Sequence, residues 1–253
     1  MQRHLRRYGL SLISERLEPT GVGIYGAELA RALGPLLGPE ETLVVFKHPG
    51  SPWQDAGPRV EVVPLSFPAG KTVYRRAAEQ TLLAAAAWRA NLTLLHAINF
   101  AAPLAWRGPL VITLHDARIL GQDGAGLGRR LFRDVVFRRS VRRATRLVAD
   151  SGAAARDSAR VFGLDEGAIK VVHLGVDQGG IATIGPDEKE VVRARFGIRG
   201  PAFVFAGEFE PHKNLPRLVE AFDLLAKERA KQFTWTRTAE QTLEIYRSIA
   251  PSK

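Results

Sequence analysis

Short apolar runs of strand length alternate with helix-length stretches along most of this 253-residue chain. That alternation restricts the fold more than any other feature. Residues 9–13, 42–46, 60–63, 92–96, 110–114, 146–150 and 169–174 read as strands. Between them lie a helix with Leu29, Ala32 and Leu33 on one side, an alanine-rich helix over 71–89, and a helix capped by Ser151. Unbroken apolar runs suit strands buried on both faces, and repeated strand–helix units build parallel sheets. The expected fold class is therefore α/β, with a doubly wound, Rossmann-like parallel sheet.

Composition narrows the chemistry. Hydrophobic residues make up 45% of the chain, enough for a sizeable core. The absence of cysteine excludes disulfides and thiolate metal sites and fits a reducing compartment. The six histidines have no metal-motif spacing, and no metal is expected. A net charge of +10 favours anionic partners. The start, MQRHLRRYGLSLISERL, is basic, but Ser14 and Glu15 interrupt its apolar core and no small-residue cleavage site follows. It does not read as a signal peptide, and no apolar run reaches spanning length.

Four stretches carry functional signals. Residues 203–206 read as a buried strand. They lead into a polar loop and then a helix capped by Asn214, with Leu215, Leu218, Val219 and Phe222 on one face. A strand, a tight loop and a helix N-terminus make an anion site, to which Lys213 adds charge. Second, Gly21, Gly23 and Gly26 spell GxGxxG between a strand and a helix. The acid that a dinucleotide site needs about 20 residues on is absent, and Lys47 follows the second strand instead. Third, His115 and Asp116 close the strand at 110–114, and open α/β sheets hold their chemistry at strand C-terminal ends. Fourth, residues 126–146 hold eight arginines interleaved with Leu127, Leu131, Phe132 and Val135. Such a basic amphipathic helix suits an anionic membrane surface or forms a solvated face. No stacking aromatics or nucleic-acid module accompany it, so nucleic acid is not an expected partner.

These stretches together resemble glycosyltransferase family 4, the retaining GT-B enzymes. Gly207, Pro211, Lys213 and Asn214 match the loop after the first strand of that family's nucleotide-binding domain. His212 stands where arginine is usual, and Glu208 where many members place an arginine. Pro19-Thr20-Gly21-Val22-Gly23-Ile24-Tyr25 is similar to the glycine loop near the family's start. VADSGAAARDSARVFGLDEGAIKVVHLGVD resembles the segment that ends the family's first domain, with His173-Leu174 in place of Pro-Asn. Residues 233–249 resemble its last helix, which follows a Phe-x-Trp and returns to the N-terminal domain. The resemblance implies a nucleotide-sugar donor as co-substrate, with no other cofactor and no metal. It implies a glycan or lipid-linked acceptor, and a cytoplasmic location that is peripheral at the inner membrane face through residues 127–146. By the same carry-over His115 reaches the transferred sugar with Asp116 beside it. Gly21 and Gly23 allow close approach to the donor, while Gly207, His212, Lys213 and Asn214 hold its diphosphate.

The expected domains are an N-terminal acceptor domain (1–178), a linker with a short helix (179–200), a remnant of the donor domain (201–231) and a C-terminal crossing helix (232–253). The remnant holds one strand and one helix, where a parallel sheet needs several βαβ units. Glu220 and Glu228 have the seven-residue separation of the family's acidic pair without its surrounding motif. Three functions therefore stand open: a nucleotide-sugar glycosyltransferase, a truncated non-catalytic member of the family, and a Rossmann NAD(P)-binding oxidoreductase.

Overall fold

The computed structural model describes residues 5–13, 20–53, 57–68, 72–117, 128, 132–176, 185–199, 204–205, 217 and 233–249. The chain divides into two compact units, Met1–Leu174 with Trp235–Lys253, and Gly175–Thr234.

The first unit is built on a seven-stranded sheet. Its strands are β1 (Arg6–Ser11), β2 (Glu41–Lys47), β3 (Val60–Pro64), β4 (Leu94–Ala97), β5 (Leu110–Leu114), β6 (Arg146–Ala149) and β7 (Ile169–Val171). Every pairing is parallel, in the order β3-β2-β1-β4-β5-β6-β7. The order reverses between β1 and β4, which opens a crevice at the strands' C-terminal ends. β4 and β5 are buried throughout, which is why they read as unbroken apolar runs.

Alternate residues of each strand serve opposite cores. Val44, Phe46, Leu95, Ala97, Ile112 and Leu114 join one face. That face is covered by α2 (Thr72–Gln80), α3 (Leu82–Arg89), α4 (Arg138–Arg143) and α5 (Gly152–Phe162). Leu43, Val45, Leu94, Val111 and Val148 join the other. It is covered by α1 (Gly21–Leu33) and by the last helix, Trp235–Ile249, which returns to this unit through Ala239, Leu243, Ile245 and Tyr246.

Several elements differ from the sequence reading. α1 begins at Gly21, with Thr20 Oγ1 accepting from Gly23 N–H at 3.3 Å, so the three glycines lie inside the helix and not in a loop before it. The helix expected over 71–89 is two helices. The Thr81 hydroxyl donates to the Ala77 carbonyl at 2.8 Å, competing with the backbone bond to that same oxygen, and the chain breaks there. The expected 126–146 helix ends at Arg143 after a π-helical turn over Arg133–Phe137, and Arg146 opens β6.

In the second unit, α6 (Pro186–Arg195) starts at Gly185, whose N–H donates to Glu188 Oε2 at 3.3 Å. Val176 and Thr234 form an isolated parallel bridge. The buried strand expected over 203–206 is not formed at its described residues: Val204 and Phe205 lie outside any strand, and Val204 is 76% exposed. The C-terminal helix is named α7 (Trp235–Ile249) from here on.

Candidate functional site

The crevice side of the sheet is formed by the segments that leave β4, β5, β6 and β7, together with the start of α1. His115 follows β5, and its ring is held from two sides. Nε2–H donates to the Ile98 carbonyl beyond β4 at 3.0 Å, and Nδ1 meets Asp150 Oδ2 beyond β6 at 3.0 Å. Both ring nitrogens are engaged with acceptors, which fixes the ring's plane. His115 and Asp150 keep 13% and 18% of their side-chain surface exposed, so the pair lies at the wall of the crevice. Asp116 is exposed. His173, beyond β7, is exposed and donates from Nδ1 to the Asp150 carbonyl at 3.2 Å.

The start of α1 comes to the same place. The Tyr25 ring meets His115 edge-on, with centroids 4.8 Å apart, and Trp235 at the start of α7 lies 6.2 Å from Tyr25. Thr238 Oγ1 donates to the His173 carbonyl at 2.5 Å, tying the first turns of α7 to the β7 segment. The GxGxxG glycines divide by role. A Cβ on Gly26 would lie 2.3 Å from Leu12 Cδ2 and 2.7 Å from Ile98 Cδ1, so this glycine allows α1 to close on the sheet. A Cβ on Gly21 would meet nothing within 4 Å, and Gly21 is exposed. Gly23 is buried and donates to the Thr20 cap.

Behind the site lies a polar core. The Tyr25 hydroxyl is 3.1 Å from Thr113 Oγ1, which is 2.8 Å from His96 Nε2, and His96 Nδ1 is 2.5 Å from the Tyr246 hydroxyl. Burial, with a smaller contribution from the charge of His115, pushes His96 down to about 3, so this imidazole is neutral. Burial raises the Tyr25 and Tyr246 hydroxyls, which keep their protons.

Of the residues expected from sequence, His115, Asp116, Gly21 and Gly23 gather around the C-terminal ends of the strands. Gly207, His212, Lys213 and Asn214 lie outside the described residues. Asp150, Tyr25 and His96 were missed. Asp150 ends a strand just before a helix cap, the same signal that singled out His115. His96 and Tyr246 are 150 residues apart, and nothing local in the sequence joins them. The acid of a dinucleotide site is again absent. β2 ends in Lys47, a buried lysine whose ammonium donates to the Ser51 and Trp53 carbonyls and closes its own loop.

The arginine-rich segment also changes character. Val136, Phe137 and Val141 are buried in the core, so this part of its apolar side is not free to enter a membrane. Arg143 donates to the Trp106 and Pro103 carbonyls, and burial lowers its pKa. Arg138, Arg139 and Arg142 remain exposed. Among the described residues no helix is long and apolar enough to cross a membrane.

The sequence profile of Glycosyltransferase Family 4 matches residues 19–179. Solved structures share the fold at low identity. WaaG, a glycosyltransferase involved in lipopolysaccharide biosynthesis, aligns with a TM-score of 0.58 at 15% identity, over 92% of this chain and 66% of its own. Sucrose-phosphate synthase from Thermosynechococcus elongatus aligns with a TM-score of 0.57 at 15% identity, over 96% of this chain and 68% of its own. The chain thus spans about two thirds of the length of these structures. No curated protein matches the sequence significantly.

Proposed function

Because the chain belongs to glycosyltransferase family 4, we propose that it moves a sugar from a nucleotide-sugar donor to a hydroxyl of a glycan or lipid-linked acceptor, with retention of configuration. The bond from the anomeric carbon to the donor diphosphate breaks, and one to the acceptor oxygen forms. The observation that carries this reading is the His115–Asp150 pair at the strand ends, beside the open Gly21 start of α1. His115, fixed by Asp150 and the Ile98 carbonyl, offers its ring edge to the sugar, with Asp116 adjacent. Gly21 and Gly23 let the α1 backbone approach the donor. Gly207, His212, Lys213 and Asn214 hold the diphosphate, with the Lys213 charge as the main attraction. The reading needs no metal or further cofactor. The exposed Arg138, Arg139 and Arg142 attract an anionic surface at the cytoplasmic face of the membrane, where a lipid-linked acceptor would lie.

The second reading is a non-catalytic family member that keeps the acceptor unit. It is favoured by the sequence of residues 201–231, a stretch too short for the several βαβ units that a parallel sheet needs.

A thermal-shift titration of the purified chain against UDP, GDP, ADP and NAD(P) separates the possibilities. A saturable rise with one nucleoside diphosphate, of about 2.7 kcal/mol at a hundredfold excess over Kd, supports the transferase reading. The Lys213→Ala variant should lose that rise; an unaltered rise would remove Lys213 from the diphosphate site. A cooperative melt that no nucleotide shifts favours the non-catalytic reading, and a response to NAD(P) alone would return the dinucleotide alternative.

A further inference from the structure

The candidate site and the C-terminal helix are joined through the protein interior. From Asp150 the contacts run to His115 at 3.0 Å, to the Tyr25 ring at 4.8 Å between centroids and from its hydroxyl to Thr113 at 3.1 Å. They continue to His96 at 2.8 Å and to Tyr246 on α7 at 2.5 Å. Tyr25, His96, Thr113 and Tyr246 are buried, so no water stands in for a lost partner. A second route is direct, from Trp235 at the start of α7 to Tyr25, with ring centroids 6.2 Å apart.

We propose that the C-terminal helix sets the orientation of His115, with Tyr246, His96, Thr113 and Tyr25 acting as positioning residues for the site. The physical reason lies in the middle of the chain of contacts. A neutral imidazole carries one N–H, so His96 donates at one nitrogen and accepts at the other. If the Tyr246 hydroxyl donates to Nδ1, then Nε2–H donates to Thr113 and the Thr113 hydroxyl is left to donate to Tyr25. If Nδ1–H donates to Tyr246, every donor reverses and Tyr25 donates to Thr113. The two ends are therefore linked, and removing either hydroxyl leaves a buried polar atom unpaired and frees the next ring to turn. The Tyr25 ring bears on His115, so its rotation reaches the imidazole that Asp150 and the Ile98 carbonyl hold. Undocking of α7 would then loosen the site as well as the core.

This inference takes the catalytic importance of His115 from the function proposed above, but its test reads the imidazole directly. The reactivity of His115 toward diethyl pyrocarbonate is followed by mass spectrometry in the full chain, beside Tyr246→Phe, Thr113→Val and Tyr25→Phe. Each keeps the side-chain shape and removes the polar group. His115 should react roughly fivefold faster or more in each, because its orientation is no longer fixed. Thr113→Ser, which restores the hydroxyl, should return the rate to that of the unchanged protein. The Tyr246→Phe and Tyr25→Phe effects should not add in the double variant, since one chain of contacts is cut twice. Leu83→Ala, a core change on the opposite sheet face, measures general loosening. An unchanged His115 rate in the Phe and Val variants, or a rise no greater than in Leu83→Ala, overturns the proposal. Should those variants fail to fold, the unchanged protein decides by nitrogen-15 spectra. A neutral His96 persisting below pH 5 supports the linkage, and a protonated His96 there overturns it. Loss of sugar transfer with an intact reactivity response would overturn the functional reading alone.

Discussion

Glu41 shows how one side chain can tie the two ends of the sequence together. It is buried at the start of β2 and accepts from the Gly38 N–H, from the Tyr8 hydroxyl and from both Nε and Nη2 of Arg247 on α7. The Arg247 bonds, helped by Gly38 and Tyr8, hold its carboxyl down at about 2 against the cost of burial. A carboxylate depressed in the folded state contributes stability above its unfolded value near 4.5 and loses it as pH falls toward 2. His96 acts first. It is held near 3 against 6.5 unfolded, so the unfolded chain takes up a proton that the native state refuses. Stability should therefore decline from about pH 6.5 downward by about 1.4 kcal/mol per unit, and more steeply below 4.5 when Glu41 joins. Urea titrations from pH 8 to 4 check this, and His96→Gln should remove the upper part of the slope. At the alkaline end, burial and the Glu41 charge push Tyr8 up to about 12, so stability should fall again above pH 10. Arg247→Ala should cost about 2 kcal/mol, since it leaves a buried carboxylate short of its strongest donor while the arginine itself is partly exposed.

At the scale of elements, α1 carries both a packing glycine and an open one. Gly26→Ala should destabilise by about 1 kcal/mol, because overpacking against buried Leu12 and Ile98 exceeds the gain in helix propensity. Gly21→Ala should leave the melting temperature almost unchanged, since its added methyl meets nothing, and should weaken nucleotide-sugar binding if that opening faces the donor. Equilibrium unfolding and the nucleotide titration read the two effects separately. The arginine-rich helix divides in the same way. Changing Arg138, Arg139 and Arg142 together to Glu should abolish sedimentation with anionic vesicles without altering the melt. Arg143→Ala should lower stability instead, because the Trp106 carbonyl loses its guanidinium donor and the Pro103 carbonyl keeps only the Trp106 N–H.

At the scale of the molecule, the last helix is part of the first unit's core. α1 covers the sheet face near β1 and β2, and α7 supplies Ala239, Leu243, Ile245 and Tyr246 to the same cluster. A chain ending at Thr234 should bare that face and leave His96 without its Tyr246 partner. Loss of a cooperative melt and binding of a hydrophobic dye would be the expected result.

The sequence by itself determined the parallel α/β architecture, because strands buried on both faces must be apolar throughout and parallel neighbours need helical crossovers. It also determined His115 as a site candidate, since strand ends are positions that local patterning can locate. Only the tertiary structure decided what surrounds that histidine. Asp150, the Ile98 carbonyl, Tyr25 and the path to Tyr246 meet because strand order brings β4, β5 and β6 side by side and α7 folds back over them. Strand order and the docking of a distant helix depend on contacts between residues far apart in the chain, and no local periodicity records them.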